Sequence, residues 1–286
     1  MKAHMLLQCA RARHFGLLHT RSLPLSLSDI NSHWRTSRRL CQGEGVQGKR
    51  SNVEEIQYDT LESGKQQQII AYLEFLLEKN KVMNLTAVKG MEEAIDRHAN
   101  DSLTMVSAIE ENYGARDECL KVIDVGSGAG LPGVMVAIAR DQWQVTILDT
   151  LKKRCGFVDE ATSKCGIKNV QTLWARAEEA GRMDDHREVY DISIARAVAE
   201  LRVLVEYCLP FVKVGGLLVA AKGPVIEEEV ELARNAIEKL GGCLVGVSKV
   251  NSFSDDGKRT VVVIKKVTTT PRKYPRRPGL PAKRPL

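Results

Sequence analysis

The chain has 286 residues, 43% of them hydrophobic and 27% charged, and its formal net charge is +6. This length accommodates one large α/β domain and a smaller element, but no stretch approaches the ~20 apolar residues of a membrane span. Positive charge is concentrated in residues 1–40 and 271–286, so the intervening residues 41–270 are net negative. Nucleic acid would therefore need a local basic patch on the body of the protein.

The first 45 residues are predicted to be a disordered transit peptide. Arg, Ser and Leu are frequent there, acids are rare, and the apolar core of a secretory signal is missing. We expect import into the plastid stroma, with the mitochondrion as the alternative destination. An ordinary disordered extension is the competing interpretation.

Residues 46–112 are predicted to form an N-terminal helical segment. Apolar residues recur at helical spacing in QQQIIAYLEFLLEKN (66–80), which gives one helix with a single apolar face. A second helix is predicted over MEEAIDRHANDSLTMVSAI (91–109).

Residues 122–133, VIDVGSGAGLPG, combine a short apolar strand, a glycine-rich turn and the start of an apolar helix. Gly126, Gly128 and Gly130 allow a sharp turn and a close approach of the backbone to a ligand. The third glycine comes one residue too early for the dinucleotide pattern G-x-G-x-x-G. The observed D-x-G-x-G-x-G instead resembles the first motif of class I S-adenosylmethionine-dependent methyltransferases.

The next predicted strand, WQVTILD (143–149), ends in Asp149. A carboxylate at this position can accept hydrogen bonds from both hydroxyls of a ribose, in the folds that bind NAD and in those that bind adenosylmethionine. Asp149 is therefore a predicted cofactor ligand.

Strands and helices alternate along residues 113–267, which predicts a doubly wound α/β sheet. Seven strands with the last two in a hairpin would give the Rossmann-like sheet of a class I methyltransferase, here with an N-terminal helical extension. Residues 268–286 form a basic tail. The later strands are predicted at 169–174, 190–195, 216–222, near 243–250 and at 259–267.

Missing motifs restrict the methyl acceptor. Enzymes acting on exocyclic amines typically carry [DNS]-P-P-[YFW] after the fourth strand, where this chain has DISIARAVAE (191–200). Methylation of cytosine C5 needs a cysteine nucleophile, and none lies near 190–200. Guanine N7 has a free lone pair and needs positioning more than deprotonation, so elimination favours it.

Eight spaced motifs resemble the ribosomal RNA small-subunit methyltransferase G family, also called glucose-inhibited division protein B. The resemblance implies N7-methylation of one guanine in 16S-type rRNA, with S-adenosyl-L-methionine as donor and the small-subunit rRNA or 30S-type subunit as partner of a monomer. No membrane partner and no metal are expected. The motifs are NLT (84–86), RHANDS (97–102), DVGSGAGLPG (124–133), LDTLKKR (148–154), ARAEE (175–179), ARAVA (195–199), AKG (221–223) and RTVVVIKK (259–266).

The resemblance also implies roles for individual residues. It puts the adenine along Ala177 and Glu178, and it makes Arg196 and His98 the candidate catalytic residues. The predicted cofactor-binding set is Gly126, Ser127, Gly128, Gly130, Leu131, Asp149, Ala177, Glu178 and Arg196.

Each of these assignments has a structural alternative. Arg196 can instead pair with Asp191 or Glu200, and His98 can be an ordinary helix residue. Five cations are candidate RNA ligands: Lys152, Lys153, Arg154, Arg272 and Lys273. The first three can equally be a solvated helix start. The tail can equally be disordered, or it can hold phosphate while Tyr274 stacks on a base.

Two other functions remain open at this stage. One is a class I methyltransferase acting on a small molecule or a protein. The other is a non-catalytic ribosome-assembly factor that keeps the fold and binds RNA.

Overall fold

The computed structural model describes residues 56–114, 118–224, 226–252 and 258–286. The predicted transit peptide (1–45) lies outside these residues, which all belong to one compact unit. Within the described ranges, no helix combines the length and the apolar character that crossing a membrane requires.

The described strands form one seven-stranded sheet in the order β3-β2-β1-β4-β5-β7-β6. β1 to β5 are parallel, whereas β7 runs antiparallel to both of its neighbours, β5 and β6. The predicted Rossmann-like sheet with a terminal hairpin is confirmed. The strands are β1 (Lys121–Val125), β2 (Gln144–Asp149), β3 (Val170–Trp174), β4 (Tyr190–Arg196), β5 (Val212–Lys222), β6 (Gly242–Asn251) and β7 (Lys258–Lys266).

Helices cover both faces of the sheet. They are α1 (Ser63–Met83), α2 (Met91–Ala94), α3 (Asp101–Tyr113), α4 (Gly133–Ala139), α5 (Lys152–Lys164), α6 (Ala177–Ala180), α7 (Leu201–Cys208), α8 (Glu227–Lys239) and α9 (Leu280–Lys283), with a π-helical turn at Ile95–Asn100.

The strands are apolar on both faces because helices bury both faces. Alternate side chains of one strand enter different cores: Leu217 and Val219 pack with α1, α3, α4 and α5, whereas Leu218 and Ala220 pack with α7 and α8. This two-sided burial explains why the strands read as continuous apolar runs in the sequence.

The N-terminal helices belong to the first of these cores. Tyr72 and Phe75 of α1 pack against Phe157 of α5, with the rings of Phe75 and Phe157 stacked 5.9 Å apart. The helix predicted over 91–109 is found, but the π-helical turn interrupts it between α2 and α3. Such turns concentrate at functional sites, and this one carries Arg97 and His98.

The basic tail is packed against the domain, so the interpretation of a disordered tail is wrong for residues 268–286. Tyr274 is only 6% exposed and therefore has no free ring for a base, contrary to the stacking role considered above. Arg276 makes a bidentate ion pair with Glu206 of α7, and the Glu206 side chain is fully buried. A buried carboxylate needs such a partner, and the tail supplies it.

Candidate functional site

The candidate site lies at the carboxyl ends of β1, β2 and β4. β1 lies between β2 and β4, so the strand order reverses at β1, which is where open α/β sheets leave a ligand crevice. The glycine-rich turn follows β1 and is anchored to β2 because the Gly126 amide donates to the Leu148 carbonyl at 2.8 Å.

Asp149 fixes the open side of this turn. Its buried carboxylate accepts from the amides of Gly128 at 2.9 Å and Leu151 at 2.8 Å. Gly126 and Gly128 both have positive φ angles, +75° and +63°, and a Cβ on Gly128 would meet nothing within 4 Å. The turn therefore presents bare backbone, with free space above Gly128, next to an acidic side chain.

Three of the predicted cofactor ligands turn inward instead. The Ser127 hydroxyl donates to Asp124, Leu131 is 7% exposed, and a Cβ on Gly130 would lie 2.5 Å from the Tyr72 hydroxyl. The side of the turn that holds them packs on α1, since Tyr72 donates to the Ala129 carbonyl at 2.8 Å. The contacts of these three residues stabilise the conformation of the turn, and their side chains do not contribute to its open face.

Asp124, which the sequence analysis did not include in the site, holds the turn from below. Its Oδ2 atom accepts from the Ser127 hydroxyl at 2.5 Å and from the Gly133 amide at 2.7 Å. Its Oδ1 atom is buried and has no hydrogen-bond partner among the described residues. Burial raises the pKa of Asp124 to about 6. The signal for it was its position at the head of the D-x-G-x-G pattern.

Arg196 ends β4 and connects this strand to the π-helical turn and to the start of α3. Its Nη1 atom donates to the Arg97 carbonyl and to the Ser102 hydroxyl, both at 3.1 Å. The alternative pairing with Asp191 or Glu200 is wrong. Asp191 binds Lys213 and the Lys121 amide at the opposite end of β4, and Glu200 pairs with Arg202 at 2.7 Å.

The electrostatic surroundings leave Arg196 charged. Burial lowers its pKa to about 10, and the nearby carboxylates of Asp101 and Asp124 act in the opposite direction. Asp101 is itself held by Arg259 of β7 at 2.7 Å. The guanidinium of Arg196 has five N–H donors, and only Nη1 takes part in the bonds described above. Arg196 therefore has donors left for a ligand.

His98 is neutral at physiological pH. Burial, together with the adjacent Arg196, lowers its pKa to about 4. Its Nε2 atom lies 2.7 Å from the Thr86 hydroxyl, and its buried Nδ1 atom has no partner among the described residues. The structure thus brings His98 and Arg196 together, as the resemblance implies.

Ala177 and Glu178 begin α6, after β3. Both are buried, but the Glu178 carboxylate accepts from the Gly279 amide of the tail at 2.9 Å. The side chain predicted to lie along an adenine therefore also bonds the tail, a contact that no local sequence pattern indicates.

The five candidate RNA ligands fall into two groups. Lys152, Lys153 and Arg154 start α5 directly after Asp149, and Arg154 lies 3.4 Å from that carboxylate. Arg272 and Lys273 lie in the tail, where Arg272 is 82% exposed and pairs with the equally exposed Asp184. Both groups are accessible, but only the first borders the glycine-rich turn.

The segment after β4 limits the site on its other side. Ala197 has a positive φ of +54°, and Val198 lies so close to Gly126 that a Cβ there would come within 2.9 Å of it. Beyond Val198, at the ends of β4 and β5, is an open cavity of about 560 Å³. Its lining includes Ala197, Val198, Ala199, Glu200, Lys222 and Leu232.

These residues fit a nucleoside-type cofactor. Free space over Gly128 admits a ligand against the backbone, the second lone pairs of Asp149 can accept from hydroxyls, and the unpartnered Oδ1 of Asp124 can accept from a cationic group. A residue with a Cβ at position 128 would fill part of that space.

Comparison with known proteins identifies close relatives. The family described as "GidB: rRNA small subunit methyltransferase G" matches residues 65–260. Ribosomal RNA small subunit methyltransferase G of Alkaliphilus metalliredigens is 43% identical over 226 residues, 79% of this chain and 92% of that protein. The protein of the same name from Acetivibrio thermocellus is 45% identical over 243 residues, 85% of this chain and 94% of that protein.

Solved structures resemble the chain more distantly. A putative sarcosine dimethylglycine methyltransferase from Galdieria sulphuraria has a TM-score of 0.49 and 12% identity, and covers 62% of this chain and 87% of that one.

Proposed function

The chain belongs to the rRNA small subunit methyltransferase G family, and on that premise we propose that it methylates guanine N7 in the small-subunit rRNA of an organelle. The observation that carries this proposal is the open backbone of Gly128 next to the Asp149 carboxylate, at the carboxyl ends of β1 and β2. We propose S-adenosylmethionine as the donor and a monomer as the active form.

S-adenosylmethionine supplies an electrophilic methyl group, which the N7 lone pair takes in an in-line displacement while the carbon–sulfur electron pair returns to sulfur. Guanine N7 carries no proton, so the chain needs no general base for this acceptor. Arg196, whose pKa of about 10 keeps it protonated, is suited to hold and orient the acceptor rather than to accept a proton.

The surrounding residues prepare this arrangement. Asp149 holds the Gly128 amide, and the Ser102 hydroxyl and the Arg97 carbonyl fix the orientation of the Arg196 guanidinium. We propose that the acceptor base lies against Arg196 and that Lys152, Lys153 and Arg154 bind phosphates at the start of α5, next to the glycine-rich turn.

We also propose that residues 1–45 direct the protein to the plastid stroma, with the mitochondrion as the alternative. The support is compositional: Arg, Ser and Leu are frequent there and acids are rare. A fluorescent fusion of residues 1–50 tests the destination, and retention of the fusion in the cytosol would contradict the proposal.

The activity is tested with the full chain, purified small-subunit rRNA and S-adenosylmethionine carrying a labelled methyl group. We expect label at a single guanine, with chain cleavage at that site after treatment specific for N7-methylguanosine. Arg196→Ala should abolish transfer, whereas Arg234→Ala, on the exposed surface of α8, should not. Label that resists this cleavage would refute the N7 assignment, and absence of cofactor binding by calorimetry would favour a non-catalytic assembly factor.

A further inference from the structure

Trp174 is an exposed aromatic side chain beside the proposed site. It ends β3 in register with Asp149 of β2 and is 58% exposed, whereas Trp143 is fully buried. Its indole N–H donates to the Thr150 carbonyl at 3.0 Å, which fixes the orientation of the ring. A single exposed apolar side chain is ordinary on a protein surface, so the surroundings of this ring carry the argument.

Those surroundings are cationic. The Lys152 ammonium lies 5.2 Å from the centre of the Trp174 ring, Lys153 follows it, and Arg176 is exposed two residues beyond the ring. The first turn of α5 contains no acid, and cations there are opposed by the helix dipole. The helix's own stability therefore does not explain why these cations lie there.

We propose that Trp174, Lys152, Lys153 and Arg176 bind a single-stranded segment of the RNA substrate. One base stacks on the indole, and the neighbouring phosphates bind the three cations. Nucleotides combine a flat aromatic surface with a regular negative charge, whereas an acidic peptide offers the charge alone. The inference rests on the proposed function, because that function makes RNA the partner.

The indole itself reports binding. The chain contains three tryptophans. Trp34→Phe removes one of them, Trp143 is buried, and Trp174 then gives the solvent-accessible emission. A single-stranded oligoribonucleotide should quench this emission, and Trp174→Phe should remove the quenchable part. RNA that binds in a filter assay without quenching Trp174 would overturn the inference.

Affinity gives a second measurement. Trp174→Ala should weaken oligonucleotide binding about tenfold, equivalent to about 1.4 kcal/mol. The double variant Lys152→Ala/Lys153→Ala should depend less on salt. The slope of log binding constant for the oligonucleotide against log salt concentration should fall in magnitude by about 1.4, which is about 0.7 for each of two single-strand phosphates that are no longer neutralised. The matched control Arg234→Ala removes an exposed cation from a helix on the opposite face of the sheet and should change neither quantity.

Failure of this inference is distinguishable from failure of the proposed function. If the wild-type protein methylates rRNA and Trp174→Ala has an unchanged KM for it, the surface is refuted and the proposed function stands. If the wild-type protein transfers no methyl group but RNA quenches Trp174, the surface stands alone. Equal quenching by polyglutamate would indicate an acidic protein partner and overturn the assignment to RNA.

Discussion

Replacing Gly128 and Gly130 with alanine, one at a time, should impair the protein in two different ways. Both glycines have left-handed backbone, with φ of +63° and +78°, so alanine costs about 1–2 kcal/mol of stability at either position. Their surroundings differ. A Cβ on Gly128 enters free space, whereas one on Gly130 would lie 2.5 Å from the Tyr72 hydroxyl and 2.8 Å from Val134.

The difference can be expressed as free energies. In Gly130→Ala, Tyr72 must give up its bond to the Ala129 carbonyl, which costs about 1 kcal/mol. Displacement of the packed side chains adds about 1–3 kcal/mol. With the backbone strain included, we expect a cost of about 3–6 kcal/mol, which lowers the melting temperature by about 6–24 °C in a domain of this size. Gly128→Ala should lower it by only about 2–8 °C.

Cofactor affinity should follow the opposite order. The Gly128→Ala methyl group occupies the space over the turn, so we expect S-adenosylmethionine to bind at least about tenfold more weakly, or about 1.4 kcal/mol. Calorimetric titration well below both melting temperatures measures this separately from stability. Unchanged affinity in Gly128→Ala, or a Gly130→Ala protein that melts within about 3 °C of wild type, would refute this account of the turn.

Three further changes test the electrostatics of the site and the tail. Because the pKa of His98 is lowered from 6.5 to about 4, its neutral form stabilises the fold fully above about pH 6.5 and progressively less toward pH 4. His98→Gln should flatten that part of a urea-unfolding pH series, and an unchanged pH dependence would contradict the shift. Glu206→Gln should lower the free energy of unfolding, measured by chemical denaturation, by about 3–5 kcal/mol, since it leaves Arg276 without a partner carboxylate. The control Arg272→Ala breaks an exposed ion pair and should not change that free energy measurably. Arg196→Lys should lower kcat at least about tenfold and weaken S-adenosylmethionine binding by a smaller factor, because one ammonium cannot replace the guanidinium fork. An unchanged kcat would make Arg196 structural.

The sequence was most informative about the sheet. Apolar β-branched runs such as VIDV mark strands that helices bury on both faces, and the acid at the end of the second strand correctly located Asp149 beside the glycine-rich turn. Both features are local in sequence, so a local pattern reveals them.

Long-range contacts were not predictable in this way. Arg196 bonds to Ser102, which is 94 positions away in the chain and lies just after the π-helical turn between α2 and α3. A continuous helical periodicity gives no sign of that turn. The tail has no apolar periodicity either, and its docking depends on Glu206, which in sequence looks like an ordinary charged residue of a helix.

The position of β7 between β5 and β6 has a consequence for the chain while it is being synthesised on the ribosome. Until Lys258–Lys266 has been synthesised, β5 has one edge without its native partner, and β6 lacks the strand that it pairs with in the native sheet. Unpaired edges can pair with other chains, so the period between synthesis of β5 and of β7 is when the chain is most exposed to aggregation. We expect this half of the sheet to be completed last during synthesis, because both pairings of β7 must wait for residues 258–266.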